Sequence, residues 1–67
     1  MARVVAERKS SSGKDIRLVN DGNYLVDIFT IEEKREYPDG CFVWVNICRP
    51  DEMWTSKEVA MKEFLKV

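Results

Sequence analysis

The feature that most constrains the fold is a dense apolar run near the end of the chain. Residues 41–48 read CFVWVNIC, with one polar side chain among them. A strand with one face in water alternates apolar and polar residues, and this run does not. A helix start follows at Thr55, but one short helix can cover only one face of a sheet. We therefore predict that the other face is buried against something beyond this helix.

The length of the chain limits how much core it can build. Its 67 residues make one small domain, at residues 1–67. Such a domain buries only about 60% of its unfolded surface, so its stability is marginal unless oligomerisation, a metal or disulfides add to it. We expect no metal and no other cofactor, because the chain has no His and two Cys are too few for a zinc site.

The two cysteines are expected to stay apart. Cys41 and Cys48 lie about 23 Å from each other along one predicted strand, whereas a disulfide needs Cα atoms within about 7 Å. Two free thiols that act as small hydrophobic residues are therefore predicted. Free thiols fit a reducing compartment.

Composition and charge narrow the location and the class of partner. The N-terminus lacks the apolar core of a signal peptide, and no window approaches the roughly 18 apolar residues of a membrane span. We therefore expect a cytoplasmic protein without a membrane partner. The 11 basic and 12 acidic residues give a net charge of −1, which lacks the electrostatic footprint of a protein that binds duplex nucleic acid.

Four strands are predicted from β-branched and aromatic residues between turn signals. They are placed at Arg3–Arg8, Ile16–Asn20, Tyr24–Ile31 and Cys41–Cys48. Asp21-Gly22 suits a two-residue type I′ turn, because both central residues need positive φ. This turn sets Leu18 opposite Leu25. Pro38-Asp39-Gly40 predicts a second reversal, since Pro fixes the turn and Gly supplies the left-handed position.

A helix start is predicted after the apolar run. Thr55 and Glu58 have the spacing of a capping box, in which each side chain bonds the other residue's backbone amide. Trp54 and Val59 are placed for a hydrophobic staple around this cap. An alternative start lies at Pro50, with acidic residues in the first turn.

The order of elements predicts an α+β fold. Short connections between successive strands indicate a small antiparallel β-meander of three to four strands, followed by one C-terminal helix packed on one sheet face. The helix carries one apolar stripe, formed by Ala60, Met61, Phe64 and Leu65. We expect this stripe on the face of Val43, Val45 and Ile47, because smaller branched side chains let a helix approach closely. Phe42 and Trp44 then project from the opposite face.

Signals for an enzyme are sparse. Without His, a Ser-His or Cys-His nucleophilic pair cannot form within one chain. The adjacent carboxylates, Glu32-Glu33 and Asp51-Glu52, fall in predicted turns or helix starts, where acids are ordinary. A chain this small has little room for a substrate cleft. We therefore predict a non-enzymatic protein without a small-molecule substrate.

The surplus apolar surface predicts a protein-binding module. The partner-binding residues are expected to be Phe29, Phe42, Trp44 and Val45. The charge run at residues 32–36 is expected to be a solvated hairpin arm or loop, or else a secondary charged docking loop that uses Lys34 and Arg35. Small proteins without catalytic groups commonly act as accessory or inhibitor proteins, for example in phages or mobile elements, and we predict that role.

Nucleic-acid binding is the alternative. Phe29, Phe42 and Trp44 offer aromatic rings on which single-stranded bases stack, and a strand meander with a helix resembles the outline of modules that lay a sheet in the major groove. Surfaces of this kind also need a basic groove. Acidic residues stand beside most of the basic ones near this sheet, so protein binding is preferred.

The edges of the predicted sheet favour a homodimer. The first strand is protected by charged residues, whereas the fourth carries no charge and no Pro. An uncharged edge invites another strand to pair with it. Two copies that pair their fourth strands would bury Phe42 and Trp44 together. Alternatively, the N-terminal strand folds across this edge and leaves a monomer.

Overall fold

A computed structural model describes residues 2–49 and 52–67 of the chain. It contains four strands and one helix: β1 (Arg3–Lys9), β2 (Asp15–Asn20), β3 (Phe29–Glu36), β4 (Phe42–Asn46) and α1 (Lys57–Lys66). The strands form one antiparallel sheet in the order β1-β2-β3-β4. The predicted α+β meander with a C-terminal helix is confirmed. Within these described ranges, no helix is long and apolar enough to cross a membrane.

The core lies between α1 and the middle of the sheet. Leu18 faces Ile31 across the β2–β3 ladder, and α1 packs on these two strands. The buried core side chains come from β2, β3 and α1: Ile16, Leu18, Phe29, Ile31, Ala60 and Phe64. Ala60 and Phe64 are four positions apart and therefore share one face of the helix. The prediction that Leu65 belongs to this stripe is wrong: it is 61% exposed, because it lies about 100° around the helix axis from Phe64.

The first strand is linked to the end of the helix. The Arg8 guanidinium Nη1 donates hydrogen bonds to the carbonyl oxygens of Phe64 (3.1 Å) and Val67 (3.0 Å). The backbone N–H of Ser11 also donates to the Val67 carbonyl. The last carbonyls of a helix have no partner within the helix. Here the β1–β2 hairpin supplies the donors, and a cation near a helix C-terminus is favourable.

The connection between β2 and β3 differs from the predicted two-residue turn. Leu18 lies opposite Ile31, not Leu25, so the connection spans residues 21–28. The only residues with positive φ in the described ranges are Gly13 and Gly40, which excludes a type I′ turn at Asp21-Gly22.

The side chain of Asn20 explains this difference. Its Oδ1 accepts hydrogen bonds from the backbone N–H groups of Gly22 and Ile28, and its Nδ2 donates to Asp27. Asn side chains often organise a turn in this way. A Cβ at Gly22 would collide with the Val26 carbonyl oxygen, so the absence of a side chain there permits the loop to close.

The turn between β3 and β4 is as predicted. Gly40 has a φ of +89°, and its N–H donates to the Tyr37 carbonyl. The Tyr37 N–H donates in turn to the Cys41 carbonyl, which closes the hairpin. The left-handed residue in this turn is therefore the glycine that the sequence supplies for it.

The predicted helix cap is one residue too early. Ser56, not Thr55, is the N-cap, and its side-chain oxygen accepts from the Val59 N–H at 3.5 Å. Glu58 then lies at the second helical position, so the capping box is wrong. The staple is also wrong, because Trp54 pairs with Phe29 in a β-bridge and Val59 is exposed. The alternative start at Pro50 lies outside the described residues, and α1 begins well after it.

Candidate functional site

β4 forms one edge of the sheet, and its sequence sets it apart from the other edge. Its five residues, Phe42–Asn46, carry no charge. The opposite edge, β1, carries charged side chains: Arg3, Glu7, Arg8 and Lys9. Charged residues on an edge strand discourage pairing with another chain. The prediction that the first and fourth strands form the two edges of the sheet is confirmed.

The backbone of β4 points half of its hydrogen-bonding groups away from the sheet. The Tyr37 N–H donates to the Cys41 carbonyl at one end of the β3–β4 ladder, and the Ile47 N–H donates to the Ile31 carbonyl beyond the other. Hydrogen-bonded pairs alternate along an antiparallel ladder. Val43 and Val45 therefore bond to β3, opposite Arg35 and Glu33.

The intervening residues are Phe42, Trp44 and Asn46, and their backbone N–H and C=O groups point outward. We call these groups the free edge. No backbone group elsewhere in residues 2–49 or 52–67 is hydrogen-bonded to them. Edge groups of this kind form a template for another strand.

Side chains that project away from α1 form an open face of the sheet. Alternation along each strand and the register between strands place several of them there, among them Arg17, Val19, Glu32, Lys34, Phe42 and Trp44. Phe42 and Trp44 contribute both to this face and to the free edge. The two surfaces are therefore continuous.

The Trp44 ring is held in place from one side. The Arg17 guanidinium carbon lies 4.1 Å from the ring centroid. The Nε of Arg17 donates to Glu32 Oε1 at 2.7 Å, and both side chains are about three-quarters buried. A guanidinium over an aromatic face is an attractive arrangement, and the carboxylate fixes its position.

Phe42 has a similar but looser arrangement. The Lys34 Nζ lies 4.4 Å from the Phe42 ring centroid and 3.9 Å from a Glu36 carboxylate oxygen. The Phe42 side chain remains 52% exposed. The open face therefore presents one anchored aromatic ring and one exposed ring, each next to a cation and a carboxylate.

The predicted site residues do not all come together. Phe42 and Trp44 lie side by side on the open face, as expected from alternation. Phe29 lies in the core and is 2% exposed, so its placement on a partner-binding surface is wrong. It faces α1 because it pairs with Asn20, which lies on the same face of β2 as the core residue Leu18. Its backbone N–H donates to the Trp54 carbonyl.

The predicted charged docking loop is also wrong, because Lys34 and Arg35 lie within β3. Lys34 projects onto the open face. Arg35 projects to the other side, where its Nε lies 3.4 Å from a Glu33 carboxylate oxygen. The hairpin-arm alternative describes this charge run correctly.

The valines of β4 lie on the helix side of the sheet, yet the helix does not cover them. Val45 pairs with Glu33, which pairs with the core residue Ile16, and this register places Val45 on the face that was predicted for the helix. However, α1 packs on β2 and β3. Val43 is left 42% exposed and Val45 half-buried. β4 therefore has uncovered apolar side chains on both faces.

The loop between β2 and β3 exposes a second apolar patch that the sequence interpretation missed. Tyr24 is 94% exposed, and Leu25 and Val26 beside it are also exposed. Asn23 Oδ1 accepts hydrogen bonds from the N–H groups of Leu25 and Val26. The sequence contains a signal for this loop: Asn20 and Asn23 flank Asp21-Gly22, and each Asn side chain can form a turn of its own.

The two cysteines are free, as predicted, and lie at opposite ends of the β4 segment. Cys41 is exposed. Cys48 is half-buried against the core, and its Sγ accepts a hydrogen bond from the Ile31 N–H at 3.3 Å. Burial raises the pKa of the Cys48 thiol. Cys48 therefore behaves as a small core residue rather than a reactive thiol.

Comparison with protein-family models, with curated proteins and with solved structures finds no match for this chain. The free edge and the open face are therefore the features from which a function is inferred.

Proposed function

We propose that this protein is a non-enzymatic protein-binding module that pairs β4 with an extended strand of another polypeptide. It acts through this contact as an accessory or inhibitor protein. The observation that carries the proposal is the free edge: an uncharged strand whose outward N–H and C=O groups lack backbone partners in the described ranges. In strand addition, main-chain hydrogen bonds supply affinity and alternate side chains supply specificity.

The side chains beside the free edge support this mode of binding. Trp, Tyr and Arg are the residues most enriched among those that dominate interface energies. Trp44 stacks on Arg17, and Glu32 holds that guanidinium. A partner side chain that packs on Trp44 therefore meets a ring that has little freedom left to lose, which lowers the entropic cost of binding.

Binding of single-stranded nucleic acid is the second candidate, because the open face combines two aromatic rings with Arg17 and Lys34. Two features make it the weaker one. Both cations already lie over the rings on which bases would stack, and the carboxylates of Glu32 and Glu36 lie beside them. A net charge of −1 also provides no long-range attraction for phosphates.

Amide hydrogen exchange tests the proposed mode directly. A protein captured from the native cell is purified and added back to the labelled chain. Strand addition is expected to slow exchange at Phe42, Trp44 and Asn46, whose N–H groups face outward. Val43 and Val45 are internal controls, because their N–H groups already bond to β3. Protection confined to other segments would overturn the proposal.

A pair of variants at one position separates the backbone from the side chain. Phe42→Ala removes the ring only, whereas Phe42→Pro also removes the outward N–H. Proline is tolerated on an edge strand where its nitrogen faces solvent, so both variants should fold. We expect the proline variant to bind the captured protein more weakly than the alanine variant, and equal affinities would contradict strand addition.

Trp44 fluorescence tests the alternative. Base stacking on Trp44 would quench its emission when an oligonucleotide is added at low salt. We expect no quenching at micromolar oligonucleotide. A micromolar, salt-sensitive quench would favour the nucleic-acid function instead.

A further inference from the structure

We propose that the strand that pairs with β4 is the β4 of a second copy of this chain. This inference rests on the proposed function and names the partner. The two strands run antiparallel about a two-fold axis at Trp44, and the two four-stranded sheets become one continuous sheet of eight strands.

The amount of exposed surface is the first argument. A folded monomer of 7.8 kDa exposes about 4,400 Å² on average, whereas this chain exposes 5040 Å². The excess is somewhat smaller than the area of about 800 Å² that each partner buries in a standard interface. The molecule is also elongated, with extents of 39 × 25 × 21 Å, and an elongated shape exposes more surface than a compact one of the same volume.

The direction of the backbone groups sets the register. An axis at Trp44 pairs the outward groups of Trp44 with those of the partner's Trp44, and those of Phe42 with those of the partner's Asn46. Each such pair exchanges two hydrogen bonds. This register pairs all five residues of β4. An axis at Val43 or Val45 also matches the outward groups but leaves one end of the strand unpaired.

The same register makes the helix side of β4 self-complementary. Val43 lies opposite the partner's Val45, and Cys41 lies opposite the partner's Ile47. Closely spaced, non-hydrogen-bonded pairs of this kind bring apolar side chains into contact. These contacts cover Val43, which α1 leaves exposed. The helix does not obstruct the approach, because it packs on β2 and β3.

Charge supports self-pairing at this edge. A two-fold axis sets every strand residue against a copy of the same strand, and like charges directly opposite are unfavourable. β4 has no charge from Phe42 to Asn46, so no such repulsion arises. On the open face, the two Trp44 rings become neighbours, and each is supported on its far side by its own Arg17.

Sedimentation equilibrium over 1–100 µM, as an order-of-magnitude range for weak dimers, is the first test. We expect the mass to rise from 7.8 kDa toward twice that value within this range. A single 7.8 kDa species throughout would overturn the dimer. If a captured protein then still protected the amides of the free edge, the proposed function would stand with a different partner.

A charge exchange tests the register. Val43→Glu places a carboxylate opposite Arg35, and Val45→Lys places an ammonium group opposite Glu33, within the same chain. Because each new charge faces an opposite one, each variant is expected to fold. Circular dichroism checks this. Each variant alone places an unpaired charge against a valine of the partner and should dimerise about tenfold more weakly. Their mixture sets the Glu against the partner's Lys and should recover dimerisation. Failure of the mixture to recover would overturn the Trp44-centred register.

Leu25→Lys is the matched control for surface location. It places a charge on the exposed loop patch, away from β4, and should leave dimerisation unchanged. If it dissociated the dimer while Val43→Glu and Val45→Lys did not, the interface would lie on the loop and the proposal would be wrong.

Discussion

The two faces of the sheet are built from the same strands but are held together by different forces. On the helix side, Phe64 and the core residues of β2 and β3 are almost completely buried. On the open face, Phe42 is half-exposed, and cations lie over it and over Trp44. Burial of a large side chain contributes about 1.5–3 kcal/mol, whereas a cation over an exposed ring contributes about 0.5–1 kcal/mol. The covered face therefore contributes most of the stability, and the two aromatic rings of the open face are left available for recognition.

The same substitution on both faces tests this division with the largest effect. Phe64→Ala should lower the free energy of unfolding by about 3–5 kcal/mol, because it leaves a cavity under the helix. Phe42→Ala should lower it by less than about 1 kcal/mol, because that ring is half in water already. Urea denaturation measures both values. Similar losses would mean that the open face is a second core.

A pair of asparagines provides the next contrast. Asn20→Ala leaves the N–H groups of Gly22 and Ile28 without their acceptor in a part-buried site, which should cost about 1–3 kcal/mol. Asn23→Ala frees two N–H groups in an exposed loop, where water replaces the lost acceptor, so a smaller loss is expected. Thermal unfolding ranks the two variants. The reverse order would show that the loop tip, not its base, holds the connection together.

The position of the helix cap predicts a smaller difference in stability, between variants at Ser56 and Thr55. Ser56→Ala removes the side chain that accepts the Val59 N–H and should cost about 1 kcal/mol. Thr55→Ala lies one residue outside the helix and should be close to neutral. Denaturation midpoints of the two variants distinguish the positions. A larger loss at Thr55 would return the cap to that residue.

The two cysteines are expected to differ in their rate of alkylation. Cys41 is exposed, whereas burial against the core raises the pKa of Cys48 above its ordinary value of 9.0. Iodoacetamide at pH 8 should therefore modify Cys41 first, as mass spectrometry of peptides would show. The folded state disfavours the Cys48 thiolate. The stability that the protonated Cys48 thiol contributes is therefore fully present below pH 9.0 and is lost as the pH rises through the raised pKa. Equal alkylation rates would mean that Cys48 is open to solvent.

Those parts of the fold that depend on local chemistry alone could be predicted from the sequence. The turn at Pro38-Asp39-Gly40 needs one left-handed residue, and the glycine is there. The order of the strands followed from short connections. The uncharged edge could also be identified, because charge on a strand is visible directly in its residues.

The parts that depend on competition between nearby groups could not be predicted. Asp21-Gly22 suits a tight turn, but the side chain of Asn20 bonds the same backbone and extends the connection to Ile28. This extension moves the start of β3 to Phe29 and buries that ring, which is why Phe29 was placed on the wrong surface. In the same way, Thr55 and Ser56 are both good caps, and only the path of the chain from Trp54 selects between them.

The candidate site was predicted in its residues but not in its geometry. Alternation along β4 placed Phe42 and Trp44 together on one face. It could not show which N–H groups point outward, since that depends on the pairing with β3. It also could not show that Arg17, distant in sequence, stacks on Trp44. The valines of β4 were expected under the helix, and the helix proved too narrow to reach them.

The link from Arg8 to the helix end has a consequence for the order of folding. Each strand pairs with its neighbour in sequence, so the sheet can form by successive short loop closures, which are fast. The Arg8 contacts join residues 56 and 59 positions apart and cannot form until nearly the whole chain is in place. We therefore expect the helix to dock after the transition state. In stopped-flow measurements, Arg8→Ala should accelerate unfolding and leave the folding rate almost unchanged.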